Sequence, residues 1–341
     1  MSNDGGAGGT ERDSTAVVGL DQRVPEFSVV TIPTPLVPSA SSRWRTSMPK
    51  ARKKVVPYAF IAPAVVLLIL FGIVPILVAG VVSLTDLDIR GLGNPETIQF
   101  IGLDNYDRLF NDPAFWRSIW TTAFFVGFGV PVIIVVSLGI AVALNYSNSR
   151  FFRALRSFYF LPAITAIVAI ALIWGNLYNS QFGLLNHLLD MVGIAPVGWL
   201  SDPETARVSV ALVAIWRATG LNIIIFLAAL QSIPQEYLEA AALDGAGRWA
   251  TFRRIVLPML HFAIFFVTVT TLIGWLQFFD EPYVLTGGGP VGSTTSISLF
   301  IFKNGFGLNQ FGYASAGSIV LLAIIVTVTA VQLRLRREDH G

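Results

Sequence analysis

The amino-acid sequence predicts an all-α integral membrane protein with six transmembrane helices. Of its 341 residues, 54% are hydrophobic and 13% are charged, whereas soluble domains carry about 25% charged residues. The charges leave long stretches almost free of Lys, Arg, Asp and Glu, and about 20 apolar residues in a helix cross a bilayer. A helix is favoured there because it satisfies its own backbone hydrogen bonds. The predicted spans are 57–84, 118–145, 155–179, 206–230, 259–280 and 312–333.

The placement of positive charge predicts the orientation of these spans. Seventeen of the 23 Lys and Arg residues fall on the side that holds both termini, five fall on the opposite side, and Arg217 lies within the fourth span. Because Lys and Arg collect on the cytoplasmic side, both termini are expected in the cytoplasm. The net charge of +2 is too small to favour nucleic acid as a partner. Membrane lipid is the expected surrounding of residues 57–333.

The ends of the chain are predicted to lie outside the membrane domain. Residues 1–56 are polar at first and finish with the basic run Arg52-Lys53-Lys54, which predicts a disordered cytoplasmic tail with a basic end. Residues 334–341 are predicted to form a short cytoplasmic tail. The chain has no Cys, and its three His residues are far apart in the sequence. No metal site and no catalytic residue is therefore predicted.

Glycine and proline inside the spans leave two interpretations open. Pro162 lies in the third span, Gly220 in the fourth and Gly274 in the fifth. They are compatible with ordinary kinks, which membrane helices tolerate, and the alternative is local unwinding that lines a cavity or forms a hinge.

The segment 232–258, between the fourth and fifth spans, is predicted to form a cytoplasmic helix-turn-helix. Ser232 and Gln235 have the spacing of a capping box at a helix start. Gly245 is suited to the left-handed conformation that ends a helix. Trp249 and later apolar residues then recur at helical spacing. On this pattern alone the segment is either a docking surface for another protein or a surface helix with no partner.

The same segment resembles the EAA motif of ABC importer permeases. The motif is carried by Glu239-Ala240-Ala241, Asp244-Gly245-Ala246 and Leu257-Pro258 at matching spacing. The resemblance implies a type I ABC importer permease fold, in which the first helix of this loop is a coupling helix that docks on a separate ATPase. The coupling residues that it implies are Glu239, Ala240, Ala241, Asp244, Gly245, Ala246 and Arg248.

Further stretches are similar to the carbohydrate-uptake (maltose/oligosaccharide-type) branch of these permeases. They include Ile101-Gly102-Leu103-Asp104-Asn105-Tyr106, Gly183-Leu184-Leu185-Asn186 and Leu285-Thr286-Gly287-Gly288-Gly289-Pro290. The resemblance implies a permease of the bacterial cytoplasmic membrane that imports a di- or oligosaccharide. Its implied partners are a second homologous permease, a dimer of ATPase subunits and an extracytoplasmic solute-binding protein.

ATP and Mg²⁺ are expected to bind to the partner ATPase and not to this chain. A P-loop needs Gly-Lys followed by Ser or Thr, and none of the four Lys residues follows a glycine. No cofactor is therefore predicted in this chain.

A mixture of aromatic and polar residues predicts the substrate pathway. At the end of the fifth span, Gln277 and Asp280 are three residues apart and are expected to share a helix face. A belt of aromatic residues at the membrane interface is the alternative. An interhelical hydrogen bond is the alternative for Asn222, and a packing or gating role is the alternative for Arg217. The candidate pathway residues are Asn222, Gln277, Phe278, Asp280, Tyr283 and Arg217.

Other solutes and other classes of protein are also compatible with the spans alone. If Arg217 lined an anion path, glycerol phosphate would be a candidate solute, and a polyol is a further alternative. An integral-membrane enzyme would need converging acid, base or metal-binding groups, which the scattered His residues do not supply. A passive channel would have no use for an ATPase-docking loop.

Overall fold

The computed structural model describes residues 50–145 and 158–338 of the protein. Contacts divide the chain into residues 1–62 and residues 63–341, and the packing reported below lies within the second unit. Two isolated β-bridges, Thr85–Phe100 and Asp88–Gln310, are the extended pairings in the described ranges. The α-helices are α1 Lys50–Leu68, α2 Val74–Val82, α3 Ile89–Gly93, α4 Asp104–Phe110, α5 Pro113–Asn145, α6 Phe158–Ile164, α7 Ile167–Leu177, α8 Leu184–Met191, α9 Pro203–Gln231, α10 Gln235–Leu243, α11 Arg248–Thr251, α12 Leu257–Met259, α13 His261–Leu276, α14 Ile297–Phe302 and α15 Phe311–Glu338.

Within residues 50–145 and 158–338, four continuous helices are long and apolar enough to cross a membrane. They are Tyr58–Val82, Pro113–Asn145, Pro203–Gln231 and Phe311–Arg336. Two bent pairs of helices, α6 with α7 and the segment Arg248–Met259 with α13, bring the number of spans to six if each pair counts as one span. The predicted all-α fold with six spans is confirmed in that form.

The third span differs from its prediction because it is not one straight helix. α6 and α7 meet at an angle of 111°, and Ala166, one of the two residues between them, has a non-helical backbone with φ of −58° and ψ of 131°. Pro162 lies three residues before the break, and its carbonyl accepts a hydrogen bond from the amide of Thr165. Residues 155–157, where the span was predicted to begin, lie outside the described residues.

Two helices extend beyond the predicted boundaries of their spans. α1 begins at Lys50, so residues 50–56, predicted as the end of a disordered tail, are helical. α15 continues to Glu338, past the predicted end of the sixth span at residue 333. Both additions are basic stretches, and a helix accommodates Lys and Arg well. Residues 1–49 and 339–341 lie outside the described residues.

The centre of the molecule is formed by α5 and α9, which pack side by side along their length. Near the start of both helices they share a core with the end of α13, where Phe125 contacts Phe278 with ring centroids 4.8 Å apart. Near their ends they share a second core with the start of α13, which includes Phe226 and Leu260. α9 is held close to α6, since a Cβ on Gly220 would lie 2.2 Å from the carbonyl oxygen of Tyr159.

Residues 63–82, which form the end of α1, a π-helical turn and α2, are much more exposed than α5 and α9. From Pro63 to Val82 no residue is buried, although α2 contacts α15. Large apolar side chains along it, such as Phe71 and Leu77, are mostly exposed. Such a surface is compatible with lipid or with another membrane subunit.

Candidate functional site: the helical loop and the central cavity

The loop between α9 and α13 begins with a turn that differs from its prediction. Ser232 does not cap α10: it follows the last residue of α9, and its hydroxyl donates to the carbonyl of Ala229 at 2.8 Å. Pro234 occupies the position before α10, and no side chain caps that helix start. The predicted capping box between Ser232 and Gln235 is therefore wrong.

α10 ends in a tight turn around Gly245, as predicted. Gly245 has a φ of +74°, a conformation that strains any residue with a Cβ. The amide of Ala246 donates to the carbonyl of Ala241 at 2.9 Å, and the amide of Gly245 donates to that of Ala242 at 3.1 Å. These two bonds form a Schellman motif. The motif fixes the direction in which the chain leaves α10.

The outer surface of the loop combines exposed apolar side chains with charges. Leu243 is 89% exposed and Trp249 is 71% exposed. Exposed apolar side chains that lie close together are typical of a surface that binds another protein. Ala241 is the buried member of α10. The other predicted coupling residues are exposed: Glu239, Ala240, Asp244, Gly245, Ala246 and Arg248.

A bend of 63° connects the loop to α13. α11 continues through the π-helical turn Phe252–Val256 into α12. Leu260, at the bend, is buried in the same core cluster as Leu230 near the end of α9. Both ends of the loop are thus anchored in one packed core, so a displacement of the loop would act on α9 and α13 together.

A cavity of 410 Å³ lies between α6, α9 and α13. Its volume is within the usual range for small-molecule sites, about 300–1,000 Å³. The walls combine aromatic rings with amide, hydroxyl and charged groups. The lining includes Ala163, Arg217, Asn222, Phe266, Thr270, Thr271, Trp275, Phe278 and Glu281.

The charge in the cavity wall is an ion pair between two distant parts of the sequence. Arg217 Nε donates to Glu281 Oε1 at 2.6 Å, and Arg217 Nη2 lies 3.8 Å from Asp280 Oδ2. Glu281 is 1% exposed, and its Oε2 has no hydrogen-bond partner among the described residues. The positive charge of Arg217 is therefore compensated, while one carboxylate oxygen keeps its capacity to accept.

The structure brings three of the six predicted pathway residues to this cavity. Asn222 lines it, with its side-chain amide donating to the carbonyl of Ala218 in the same helix at 3.1 Å. This bond lies within α9, so the interhelical bond considered for Asn222 is not the one observed. Phe278 lines the cavity and stacks on Trp275 at 5.0 Å between ring centroids. Arg217 is the third.

The other three are not among the residues that line the cavity, although Asp280 lies 3.8 Å from Arg217 in the cavity wall. α13 ends at Leu276, with exposed Gln277 as its cap, so Gln277 and Asp280 do not share the helix face that was predicted. Tyr283 is exposed and stacks on Phe279 at 5.1 Å between ring centroids. Their part in a pathway stays a prediction.

Glu281 is the charged residue of this site that the sequence did not identify. Its neighbour Asp280 drew attention because of its spacing from Gln277, but Glu281 is the carboxylate that is buried and bonded to Arg217. The signal that could have found it is the presence of an unpaired Arg within a span, since an intramembrane charge requires a partner.

Comparisons with known proteins agree with this architecture. Residues 134–338 match the family described as "Binding-protein-dependent transport system inner membrane component". The chain is 36% identical over 286 residues to the lactose transport system permease protein LacF of Rhizobium radiobacter. This alignment covers 82% of this chain and 94% of that protein. It is 34% identical to the trehalose/maltose permease protein MalF of Thermococcus litoralis, covering 86% and 97% of the two chains.

Two further relatives widen the range of named solutes. The sn-glycerol-3-phosphate permease protein UgpA of Pectobacterium atrosepticum is 33% identical, covering 85% of this chain and 96% of that protein. A crystal structure of a bacterial alginate ABC transporter, in complex with an alginate pentasaccharide-bound periplasmic protein, contains a chain that is 26% identical. It superposes with a TM-score of 0.70 over 84% of this chain and 96% of that one.

The helical bundle and these similarities together show that the chain is a multi-pass membrane transport protein and not an enzyme. It belongs to the family of binding-protein-dependent transport system inner membrane components, the permease subunits of ABC transporters.

Proposed function

We propose that the chain is a permease subunit of an ATP-driven importer that translocates a neutral sugar, a di- or oligosaccharide, into the cytoplasm. The observation that carries the proposal is the cavity wall in which Arg217 is paired with Glu281 and Asp280. Around this pair lie aromatic rings, the amide of Asn222 and two threonine hydroxyls. Rings that stack on sugar faces and polar groups that bond hydroxyls are the combination a carbohydrate requires.

The compensated charge argues against a phosphate-bearing solute. An anion is best recognised by a guanidinium whose charge is free to form bidentate bonds. Two carboxylates within reach of one guanidinium leave this cluster with a formal charge of −1, so an anionic solute would be repelled. The similarity to UgpA keeps glycerol phosphate as the alternative solute, and a polyol would use the same neutral chemistry as a sugar.

The loop 232–258 supports coupling to a separate ATPase. The loop exposes Leu243 and Trp249, which suit a protein-binding surface. Its two ends are anchored beside α9 and α13, so a partner that binds the loop could act on both helices. In this proposal ATP and Mg²⁺ bind to a dimer of ATPase subunits, a second permease completes the path, and an extracytoplasmic binding protein delivers the sugar. Both termini and the loop face the cytoplasm.

The test is ATPase activity of the reconstituted complex in the presence of its solute-binding protein and one solute at a time. Neutral disaccharides and oligosaccharides are expected to stimulate hydrolysis and uptake, and glycerol phosphate is not. Stimulation by glycerol phosphate alone would overturn the solute class. Uptake that continues after ATP is depleted would overturn the importer and indicate a passive channel.

Alanine variants of Asn222 and Gln277 test whether the sugar passes through the cavity. Asn222→Ala removes an amide from the cavity, so sugar uptake is expected to fall by about 5- to 10-fold, the effect of losing one or two hydrogen bonds. Gln277→Ala, outside the cavity lining, is the matched control. The reverse result, with uptake sensitive to Gln277 and not to Asn222, would move the path to the outer end of α13.

A further inference from the structure

A second pocket lies at the end of the bundle that is remote from the loop 232–258. It has a volume of 310 Å³ and is formed where α5 and α9 begin, together with the segment that precedes α14. α9 is 29 residues long, so its start is about 42 Å from its end at a rise of 1.5 Å per residue. The lining residues are Arg117, Trp120, Thr121, Pro203, Arg207, Val291 and Ser293.

Two arginines in this pocket have no carboxylate partner among the described residues. Arg117 is the fifth residue of α5, and Arg207 is the fifth residue of α9. Arg117 donates to the backbone oxygen of Val291 at 3.3 Å. Arg207 lies 5.9 Å from the ring centroid of Phe124, and its buried Nε has no acceptor among the described residues. Ion pairs in the described parts of the chain involve Arg90 and Arg217 instead.

A threonine hydroxyl lies in the same pocket. Thr121 is 4% exposed and lines the pocket. Buried polar groups are nearly always bonded, so the buried Nε of Arg207, which has no acceptor among the described residues, indicates a missing acceptor beside these side chains.

The depth of the pocket in the membrane follows from its aromatic residue. Trp120 lines the pocket and is 73% exposed, and Trp116 one turn earlier is also exposed. Exposed Trp at the end of a membrane helix lies at the level of the lipid headgroups. The acceptor that is present at this level over the whole membrane surface is the phosphate diester of a phospholipid.

We propose that this pocket binds the headgroup phosphate of an anionic phospholipid in the leaflet opposite to the loop 232–258. Arg117 and Arg207 donate to the phosphate oxygens, since guanidinium groups match that geometry in a bidentate manner. Thr121 donates a further hydrogen bond, and Trp120 contacts the glycerol and upper acyl region. The lipid thereby bridges α5 and α9, the two central helices of the bundle.

The test uses the delipidated, detergent-solubilised full chain with the subunits that copurify with it. Phosphatidylglycerol is titrated, with phosphatidylcholine of the same acyl chains and inorganic phosphate as separate arms. Bound lipid is counted by native mass spectrometry, and the melting temperature is followed in parallel. Phosphatidylglycerol is expected to bind and raise the melting temperature, while inorganic phosphate at equal concentration has no effect.

Variants of Arg117 and Arg207 test whether the lipid binds in this pocket. Each arginine is expected to contribute about fivefold in affinity, so Arg117→Gln with Arg207→Gln weakens phosphatidylglycerol binding about 25-fold. Arg90→Gln is the matched control, because Arg90 is paired with Asp88 at 3.9 Å and should bind as the wild type does. If the double variant does not fold, Arg117→Gln alone, at an exposed position, tests the fivefold effect.

Three results would overturn the proposal. Unchanged phosphatidylglycerol binding by the arginine variants would remove the pocket from lipid binding. An equal effect of inorganic phosphate would make it a site for free anions. Loss of solute-binding-protein affinity with unchanged lipid binding would make the two arginines part of a protein interface.

Discussion

Two single residues, Arg217 and Glu281, show how much one ion pair constrains the centre of this molecule. Arg217 is partly exposed to the cavity, whereas Glu281 is 1% exposed. Burying a carboxylate has an unfavourable desolvation free energy, and the attraction of a guanidinium at 2.6 Å offsets much of it. Removing one partner leaves the other charge uncompensated, but removing both leaves no charge to bury.

We therefore expect the single and double variants of this pair to differ in stability. Glu281→Leu should lower the free energy of unfolding by about 3–5 kcal/mol, because Arg217 loses its closest partner. Arg217→Met combined with Glu281→Leu should recover most of that loss. Chemical denaturation of the detergent-solubilised protein measures both. A double variant as unstable as the single one would show that the pair contributes through packing and not through charge.

Gly245 and Gly247 offer a comparison that isolates backbone conformation. A Cβ at either position would meet no atom within 4 Å, but Gly245 has a φ of +74° and Gly247 a φ of −68°. Valine is strained in the first conformation and not in the second.

Gly245→Val is expected to disturb the turn after α10 and to uncouple ATP hydrolysis from uptake, whereas Gly247→Val is expected to keep them coupled. The ratio of solute transported to ATP hydrolysed in proteoliposomes is the measurement. Normal uptake in the Gly245 variant would contradict the coupling role of the loop.

Among the elements, α9 has the most constrained position. It packs against α5 along its length and carries Arg217 and Asn222 into the cavity. It also approaches the backbone of α6 at Gly220, where a Cβ would lie 2.2 Å from the Tyr159 carbonyl. α9 runs unbroken through Gly220, so this glycine provides space for a neighbouring helix and not a kink.

Alanine substitutions at Gly220 and Gly274 compare a closely packed glycine with one that has open space around it. Gly220→Ala is expected to destabilise the protein by about 1–3 kcal/mol, because the methyl group meets a backbone atom that has no room to move. Gly274→Ala meets no atom within 4 Å and should leave stability unchanged or raise it slightly through better helix propensity. Melting temperatures in detergent compare the two. Equal melting temperatures would mean that α6 shifts to accommodate the methyl group.

For the whole molecule, orientation in the membrane is the property that the charge distribution predicts. The chain contains no Cys, so single cysteines can be introduced without removing others. Phe182, between α7 and α8, and Leu335, near the end of α15, are both exposed.

A membrane-impermeant maleimide is expected to label Phe182→Cys in intact cells and Leu335→Cys only after the cells are permeabilised. Mass shift of the labelled protein on a gel gives the result. Labelling with the opposite sidedness would invert the orientation and place the loop 232–258 outside the cell.

Features set by neighbouring residues were predictable, and features set by distant contacts were not. The left-handed Gly245 follows from a local rule for helix ends, and the spans follow from runs of apolar residues. The pairing of Arg217 with Glu281 joins residues 64 positions apart. The 111° break between α6 and α7 lies in a uniformly apolar stretch, where the only local signal is Pro162. Ser232 was misplaced because the same hydroxyl can serve a helix start or the end of the preceding helix, as it does here with Ala229.

The unburied stretch from Pro63 to Val82 bears on how a cell must make this protein. If a partner subunit covers the part of this surface that α15 leaves exposed, the stability of the protein depends on the concentration of that partner. Copies made in excess of their partners would expose this helix to membrane proteases. Balanced synthesis of the subunits would therefore determine how much of the protein accumulates.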